Sequence, residues 1–82
     1  MLGGAYRVEQ LKLADARAQL RLSKRELSRR ADVHYNLIGN AEKGGTIRRV
    51  TAYAILEALN EERTRQGKSA LQINDLDWKV SG

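Results

Sequence analysis

Residues 20–44 read LRLSKRELSRRADVHYNLIGNAEKG, and this stretch predicts two short helices joined by a turn. Ser23 is followed three residues later by Glu26, the capping-box spacing in which each side chain accepts a hydrogen bond from the backbone amide of the other residue. A helix should therefore begin at about Lys24. Asp32 stands where that helix must turn, and Asp tolerates a left-handed or turn conformation better than most residues.

A second helix of this unit is predicted from His34 or Tyr35 to Lys43, and Gly44 with Gly45 ends it as a C-cap pair. Two short helices around a turn are common, so the spacing of their inward residues is the stricter test. The residues that fall where two steeply crossing helices must touch are all apolar: Leu27, Ala31, Val33, Ile38 and Ala41. The spacing predicts a helix-turn-helix unit at about residues 23–43.

With these residues in place, the sequence resembles the lambda-repressor and Cro-like family, also called the XRE family, over about residues 8–60. It departs from the family at Asp32, where Gly is usual, and at Lys24, where Gln is common. The proline often found before the fourth helix is also missing. The resemblance implies an all-α fold of four to five helices that binds double-stranded DNA.

The flanking segments each predict one more helix. Residues 8–20 have apolar positions at helical spacing, with Leu11, Ala14 and Ala18 inward, although residues 6–13 also alternate as a strand would. Beyond a predicted loop at residues 46–48, a helix is expected over residues 50–65, ended by Gly67. Its predicted buried side consists of Val50, Ala54, Ile55 or Leu56, Ala58 and Leu59.

The tail at residues 70–80 leaves several conformations open. Leu76, Trp78 and Val80 alternate with polar residues, which favours a short strand. A subgroup of the family resembled here pairs its N- and C-terminal segments, which would be residues 6–10 and 76–80. Trp78 is expected to dock on the core, and the alternatives are an interface or an exposed tail. One domain is predicted over residues 1–82, with a C-terminal extension at about 68–82.

The net charge of +5 is concentrated in one block of the sequence. Residues 21–49 contain eight Lys or Arg against three acids, whereas the rest of the chain contains seven of each. This concentration favours a polyanionic partner, although a solvated surface would explain a charge run taken alone. Together with the helix-turn-helix motif, it favours double-stranded DNA.

Base reading is assigned to the predicted helix at residues 34–43. The resemblance places Tyr35, Asn36 and Asn40 on its groove side, together with His34. Helical spacing agrees independently, because this face lies opposite the apolar residues and is uncharged and rich in amide and hydroxyl groups. An amide can bond to adenine through both N6 and N7. Without the motif, these would be ordinary exposed polar residues.

Residues flanking that helix are the candidates for phosphate contact. They are Ser23, Lys24, Arg25, Arg29, His34, Lys43, Arg48 and Arg49, of which His34 has a capping role as its alternative. In the family resembled here, the positions of Arg17 and Glu42 form a partly buried ion pair that ties the first helix to the end of the third. Two independent surface charges are the alternative.

Several classes of function and site are not expected. The sequence has no cysteine and one histidine, so we predict neither a disulfide framework, nor a metal site, nor a bound cofactor. It contains no catalytic constellation, so an enzyme is not expected. Neither a membrane span nor a secretory signal is recognised, and a cytoplasmic location is expected.

The predicted function is a sequence-specific transcriptional regulator, and in particular a repressor that binds a pseudo-palindromic operator as a homodimer. The alternative is a protein-interaction module, such as an antitoxin or accessory subunit, that grips a protein partner through the tail around Trp78.

Overall fold

Four α-helices carry most of residues 10–82, the part of the chain that the computed structural model describes. They are α1 (Leu13–Gln19), α2 (Lys24–Ala31), α3 (Tyr35–Glu42) and α4 (Arg49–Arg65). Four short strands accompany them: β1 (Leu11–Lys12), β2 (Thr46–Arg48), β3 (Leu76–Asp77) and β4 (Lys79–Ser81), with a 3-10 turn at Ile73–Asp75 before β3. The predicted four-helix fold with a small strand pairing is confirmed. No helix in residues 10–82 is both long and apolar enough to cross a membrane.

The first helix is shorter than predicted, and its buried side is different. It begins at Leu13 because the two preceding residues form β1. Its buried positions, with the residue that follows it, are Leu13, Ala16 and Leu20. Ala18, which was predicted to face inward, is exposed. The predicted set of inward residues was wrong because it assumed one helix running through Leu11. Residues 11 and 12 form a strand, so the helix starts at Leu13 and a different set of residues faces the core.

All four α-helices of residues 10–82 end in the same kind of turn. After each helix one residue adopts the left-handed conformation, and the next amide donates to the carbonyl five positions earlier, as in a Schellman motif. The left-handed residues are Arg21 (φ 60), Asp32 (φ 56), Gly44 (φ 93) and Gly67 (φ 80). The hydrogen bonds are Leu22 to Arg17, Val33 to Ser28, Gly45 to Asn40 and Lys68 to Arg63. Asp32 therefore makes the predicted turn without a glycine.

The predicted capping box at the start of α2 is only half formed. Ser23 Oγ accepts a hydrogen bond from the backbone N–H of Glu26 at 3.0 Å. The Glu26 carboxylate pairs instead with Arg29 and Arg30 on the next turn of the helix. A charged donor is a stronger partner for a carboxylate than a backbone amide, which explains the difference.

The buried side of α4 differs from the prediction at its first turn. The buried apolar residues of this helix are Ala52, Ile55, Leu56, Ala58 and Leu59. Val50, which was predicted to be buried, is 73% exposed, because it lies on nearly the opposite side of the helix from Ala52. Tyr53 is 48% exposed on the same outer side. The outer face of α4 therefore presents two large apolar side chains to solvent.

The tail pairs with two segments instead of forming one strand beside residues 6–10. Strand β3 runs parallel to β1, with Leu76 opposite Leu11. Strand β4 runs parallel to β2, with Val80 opposite Ile47, so the predicted loop at residues 46–48 is a strand. Of the predicted N-terminal strand, residues 6–9 lie outside the described part of the chain.

Trp78, between β3 and β4, docks on the protein itself. Its half-buried indole packs against the core. Its Nε1 donates a hydrogen bond to the carbonyl of Ile73 at 3.0 Å. Of the locations left open by the sequence, docking on the core is the one observed.

Candidate nucleic-acid interface

α2 and α3 form the helix-turn-helix unit that the sequence predicts. Leu27 of α2 and Ile38 and Ala41 of α3 are buried in the common core. Ser28, buried where the helices approach each other, donates its hydroxyl hydrogen bond to the carbonyl of Arg25 at 2.8 Å. This packing covers the inner side of α3 and leaves its outer side to solvent.

Three uncharged polar residues are exposed on α3: Tyr35, Asn36 and Asn40. Tyr35 is 43% exposed. The guanidinium of Arg25 lies over its ring, 5.3 Å from the ring centroid, in a cation–π contact. This contact also places the first turn of α2 beside the first turn of α3. The residues predicted to read bases are therefore together on the surface of one helix.

Asn40 has a close neighbour beyond the end of α3. Its backbone carbonyl accepts the N–H of Gly45 at 2.9 Å. Its side-chain amide lies over the α-carbon of Gly45, in the space that a β-carbon would fill. The second glycine of the predicted C-cap pair therefore makes room for a side chain, while Gly44 supplies the left-handed turn.

His34 caps α3 at its first turn. Its Nδ1 accepts a hydrogen bond from the backbone N–H of Asn36 at 3.1 Å. An imidazole nitrogen that accepts carries no proton, so Nε2 is the atom left for an outside partner. The capping role, one of the two expected for His34, is present in the structure, and it leaves a phosphate contact through Nε2 open.

Arg17 and Glu42 join α1 to the last turn of α3. Arg17 Nε lies 2.7 Å from Glu42 Oε2, and a second hydrogen bond runs to Oε1 at 3.3 Å. The side chains are only 18% and 9% exposed. Arg17 also donates to the carbonyl of Leu22 at 3.0 Å, just before the cap of α2. One guanidinium on α1 therefore contacts both the end of α3 and the residue before the cap of α2.

The other phosphate candidates differ in how far they are already engaged. Ser23 and Arg25 are exposed, and Lys24 is partly exposed, at the start of α2, while Lys43 and Arg48 are exposed after α3. Arg49 donates its Nε to the carbonyl of Gly82 at 3.1 Å. Arg29 is paired with Glu26, which makes it a weaker candidate.

A charged network joins α2 to α4 through Arg30. Arg30 bonds to Glu26 at 3.0 Å and to Glu62 at 2.6 Å, and Arg65 also pairs with Glu62. The hydrogen bond from Arg30 lowers the pKa of Glu26 below its ordinary value. Hydrogen bonds from Gln66 and then Arg30 lower the pKa of Glu62. Part of the basic block is therefore neutralised within the protein.

Two lysines that the sequence reasoning did not select lie beside Lys43. Lys12 of β1, Lys43 after α3 and Lys79 of β4 line one depression of about 230 Å³, together with Glu42, Gly44 and Asp77. The flanks of the sequence are neutral in sum, so their composition gave no sign of this cluster. Only the parallel pairing of the tail brings the three lysines together.

No group of three or more metal-ligating side chains is found among residues 10–82. Comparison with known proteins gave no match among curated proteins and none among solved structures. A model of the helix-turn-helix family matches residues 13–66, which span α1 to the end of α4. The match covers more than half of the chain and includes both helices of the predicted motif. The chain therefore belongs to the helix-turn-helix family of the lambda-repressor (XRE) type, a family of DNA-binding regulatory domains.

Proposed function

We propose that this protein is a transcriptional repressor that inserts α3 into the major groove of an operator and binds it as a homodimer. The observation that carries the proposal is the exposed, uncharged surface of α3, with Tyr35, Asn36 and Asn40, between groups of cations. Direct readout requires donors and acceptors at base edges, while cations hold the phosphates on either side. A protein bound across a promoter would block transcription sterically, so repression is the sign of regulation that we propose.

The size of α3 suits this role. An α-helix with its side chains is about 10 to 12 Å in diameter, close to the width of the major groove, and eight residues make α3 about 12 Å long. His34 caps its first turn, Arg25 of α2 lies over the ring of Tyr35 in that turn, and Lys43 follows its last turn. Cations near both ends of α3 would then be available to the phosphates that border the groove.

Selection from random duplex DNA tests base reading. The purified protein should enrich one sequence, and Asn36→Ala or Asn40→Ala should relax the preference at particular base pairs by about 1 to 3 kcal/mol. Lys24→Ala should instead weaken all sequences alike. Equal affinity of the unmodified protein for selected and random duplexes would contradict base reading.

Support for a homodimer comes from the outer face of α4. Val50 is 73% exposed and Tyr53 is 48% exposed, and both border shallow depressions lined mostly by apolar surface. One recognition helix covers few base pairs, and twofold pairing doubles the site. Half-sites should lie about one helical turn, roughly 34 Å, apart.

Sedimentation and footprinting test the dimer together. Val50→Ser combined with Tyr53→Ser should shift the protein towards monomer, whereas Thr64→Ser, near the exposed end of the same helix, should not. A monomer at high concentration with a footprint confined to one half-site would refute the dimer. A partner protein held by the tail is less well supported, because Trp78 is already packed and hydrogen-bonded within the chain.

A further inference from the structure

We propose that the C-terminal strand β4 is part of the DNA interface, where Lys79 joins Lys12 and Lys43 in one contact for the phosphate backbone. The inference rests on the proposed DNA-binding function and extends it beyond the helix-turn-helix unit. The strand pairings bring the lysines together: Lys12 lies opposite Asp77 in the β1–β3 pair, and Lys79 lies opposite Thr46 in the β2–β4 pair. All three lysines are exposed and border the same depression.

The charges of this depression favour an anionic partner. Glu42 lies in it, but its carboxylate is held by Arg17 at 2.7 Å. Asp77 is the other carboxylate of the lining. Among the described residues, none of the three lysines forms an ion pair within 4.0 Å. Like charges gathered without partners repel one another, and a polyanion would relieve that repulsion.

The cluster also lies next to the surface proposed to read bases. Lys43 follows Asn36 by seven residues and Asn40 by three, a spacing that puts the three on one side of the helix. Lys43 thus continues the outer face of α3 at its C-terminal end. Lys12 and Lys79 extend the positively charged surface there. Phosphates border the groove on both sides, so a phosphate backbone is the polyanion within reach of this end when α3 lies in the groove, and it is the occupant that fits.

Salt-dependent affinity measures the contact. Lys12→Ala, Lys79→Ala and the double variant are compared with Lys68→Ala, an exposed lysine in the turn after α4. Dissociation constants are measured over a range of salt on both the selected duplex and an unselected duplex. Each lysine that contacts phosphate should contribute about 0.9 to the slope of log affinity against log salt. We expect flatter slopes for the two single variants, a larger effect for the double variant, and no change in base preference or for Lys68→Ala.

A variant that is expected to raise affinity distinguishes loss of the contact from loss of the fold. Asp77→Asn removes the second carboxylate of the depression and should raise affinity for both duplexes, a gain that misfolding cannot produce. Slopes for Lys12→Ala and Lys79→Ala equal to that of Lys68→Ala, while Lys24→Ala flattens the slope, would overturn the role of β4 and leave the proposed function intact. The lysines would then serve only the C-terminal end of α3, whose partial negative charge attracts cations. Absence of any binding to duplex DNA would overturn both.

Discussion

The side-chain amide of Asn40 lies against the α-carbon of Gly45, five residues further along the chain. A β-carbon at residue 45 would stand 2.6 Å from Asn40 Nδ2 and closer still to Oδ1, a separation that real β-carbons do not reach. The backbone of Gly45 is not left-handed, so no positive φ opposes an alanine there, and the three atoms nearest to its β-carbon would all belong to the side chain of Asn40. The two residues share one small space at the end of α3.

Gly45→Ala should therefore change DNA recognition through Asn40. The new methyl group displaces the amide, and the preference at the base pair that Asn40 is proposed to read should weaken by about 1 to 3 kcal/mol. Selection from random duplexes measures this for Gly45→Ala, Asn40→Ala and the double variant. In the Asn40→Ala background, Gly45→Ala should have no further effect, because the side chain that it displaces is already absent. Additive effects would mean that Gly45 acts independently of Asn40.

The Arg17–Glu42 pair should matter more for stability than any exposed pair. Arg17→Leu leaves the Glu42 carboxylate mostly buried without its partner, and we expect the free energy of unfolding to fall by about 2 to 4 kcal/mol. Urea denaturation measures the change. Arg29→Leu, which removes an exposed partner of Glu26, is the matched control and should cost no more than about 1 kcal/mol. Equal losses of unfolding free energy in the two variants would show that burial of the Arg17–Glu42 pair does not make it more important for stability than an exposed pair.

Acid should weaken the link between α2 and α4. The pKa of Glu62 is lowered in the folded protein, so the unfolded chain takes up its proton first as the pH falls. The stabilisation is therefore present at neutral pH and is lost as the pH falls from the ordinary value of 4.5 through the lower folded value. Glu62→Gln should flatten the decline of stability in that range, measured by urea denaturation at each pH. Glu61→Gln, at an exposed neighbour, should leave the profile unchanged, and identical profiles for both would refute the link.

Two of the left-handed helix ends should be improved by glycine. Side chains oppose the left-handed conformation, and Asp opposes it less than Arg. Arg21→Gly should therefore raise the free energy of unfolding by up to about 1 kcal/mol, and Asp32→Gly should raise it by less. Thermal and urea unfolding of both variants provide the comparison. A larger gain at Asp32 than at Arg21 would contradict this account of the turns.

The sequence predicts those parts of the fold that depend on near neighbours. Ser23 at the start of α2, Asp32 in the turn and Gly44 after α3 all act within a few residues, and each lies where its chemistry indicates. The exposed face of α3 follows from the same helical spacing that buries Ile38. The strand at residues 11 and 12 was harder to predict. It runs directly into α1, and its apolar residue also fits the spacing of a helix that begins earlier.

The unexpected parts of the candidate site depend on distant pairings. Lys12 and Lys79 reach Lys43 through two parallel strand pairs whose register no local pattern indicates. The alternation of Leu76, Trp78 and Val80 correctly suggested extended backbone, yet it could not show that the backbone changes partners at Trp78. The contact between Asn40 and Gly45 depends on a side-chain position that follows from the turn geometry at Gly44.

The pairing of Leu11 with Leu76 joins the two ends of the described chain. Closing so long a loop costs entropy before any contact is gained, and the short strands offset that cost through the burial of Leu76 and Trp78 more than through their few hydrogen bonds. The helices, with mostly local contacts, should assemble first and the tail should join last. The tail should also open in brief excursions while the helices remain folded, so that amide hydrogens in β4 exchange faster than those in the middle of α4. Each excursion would carry Lys79 away from Lys43. The fraction of time for which the tail is docked would therefore equal the fraction of molecules in which the three lysines are together.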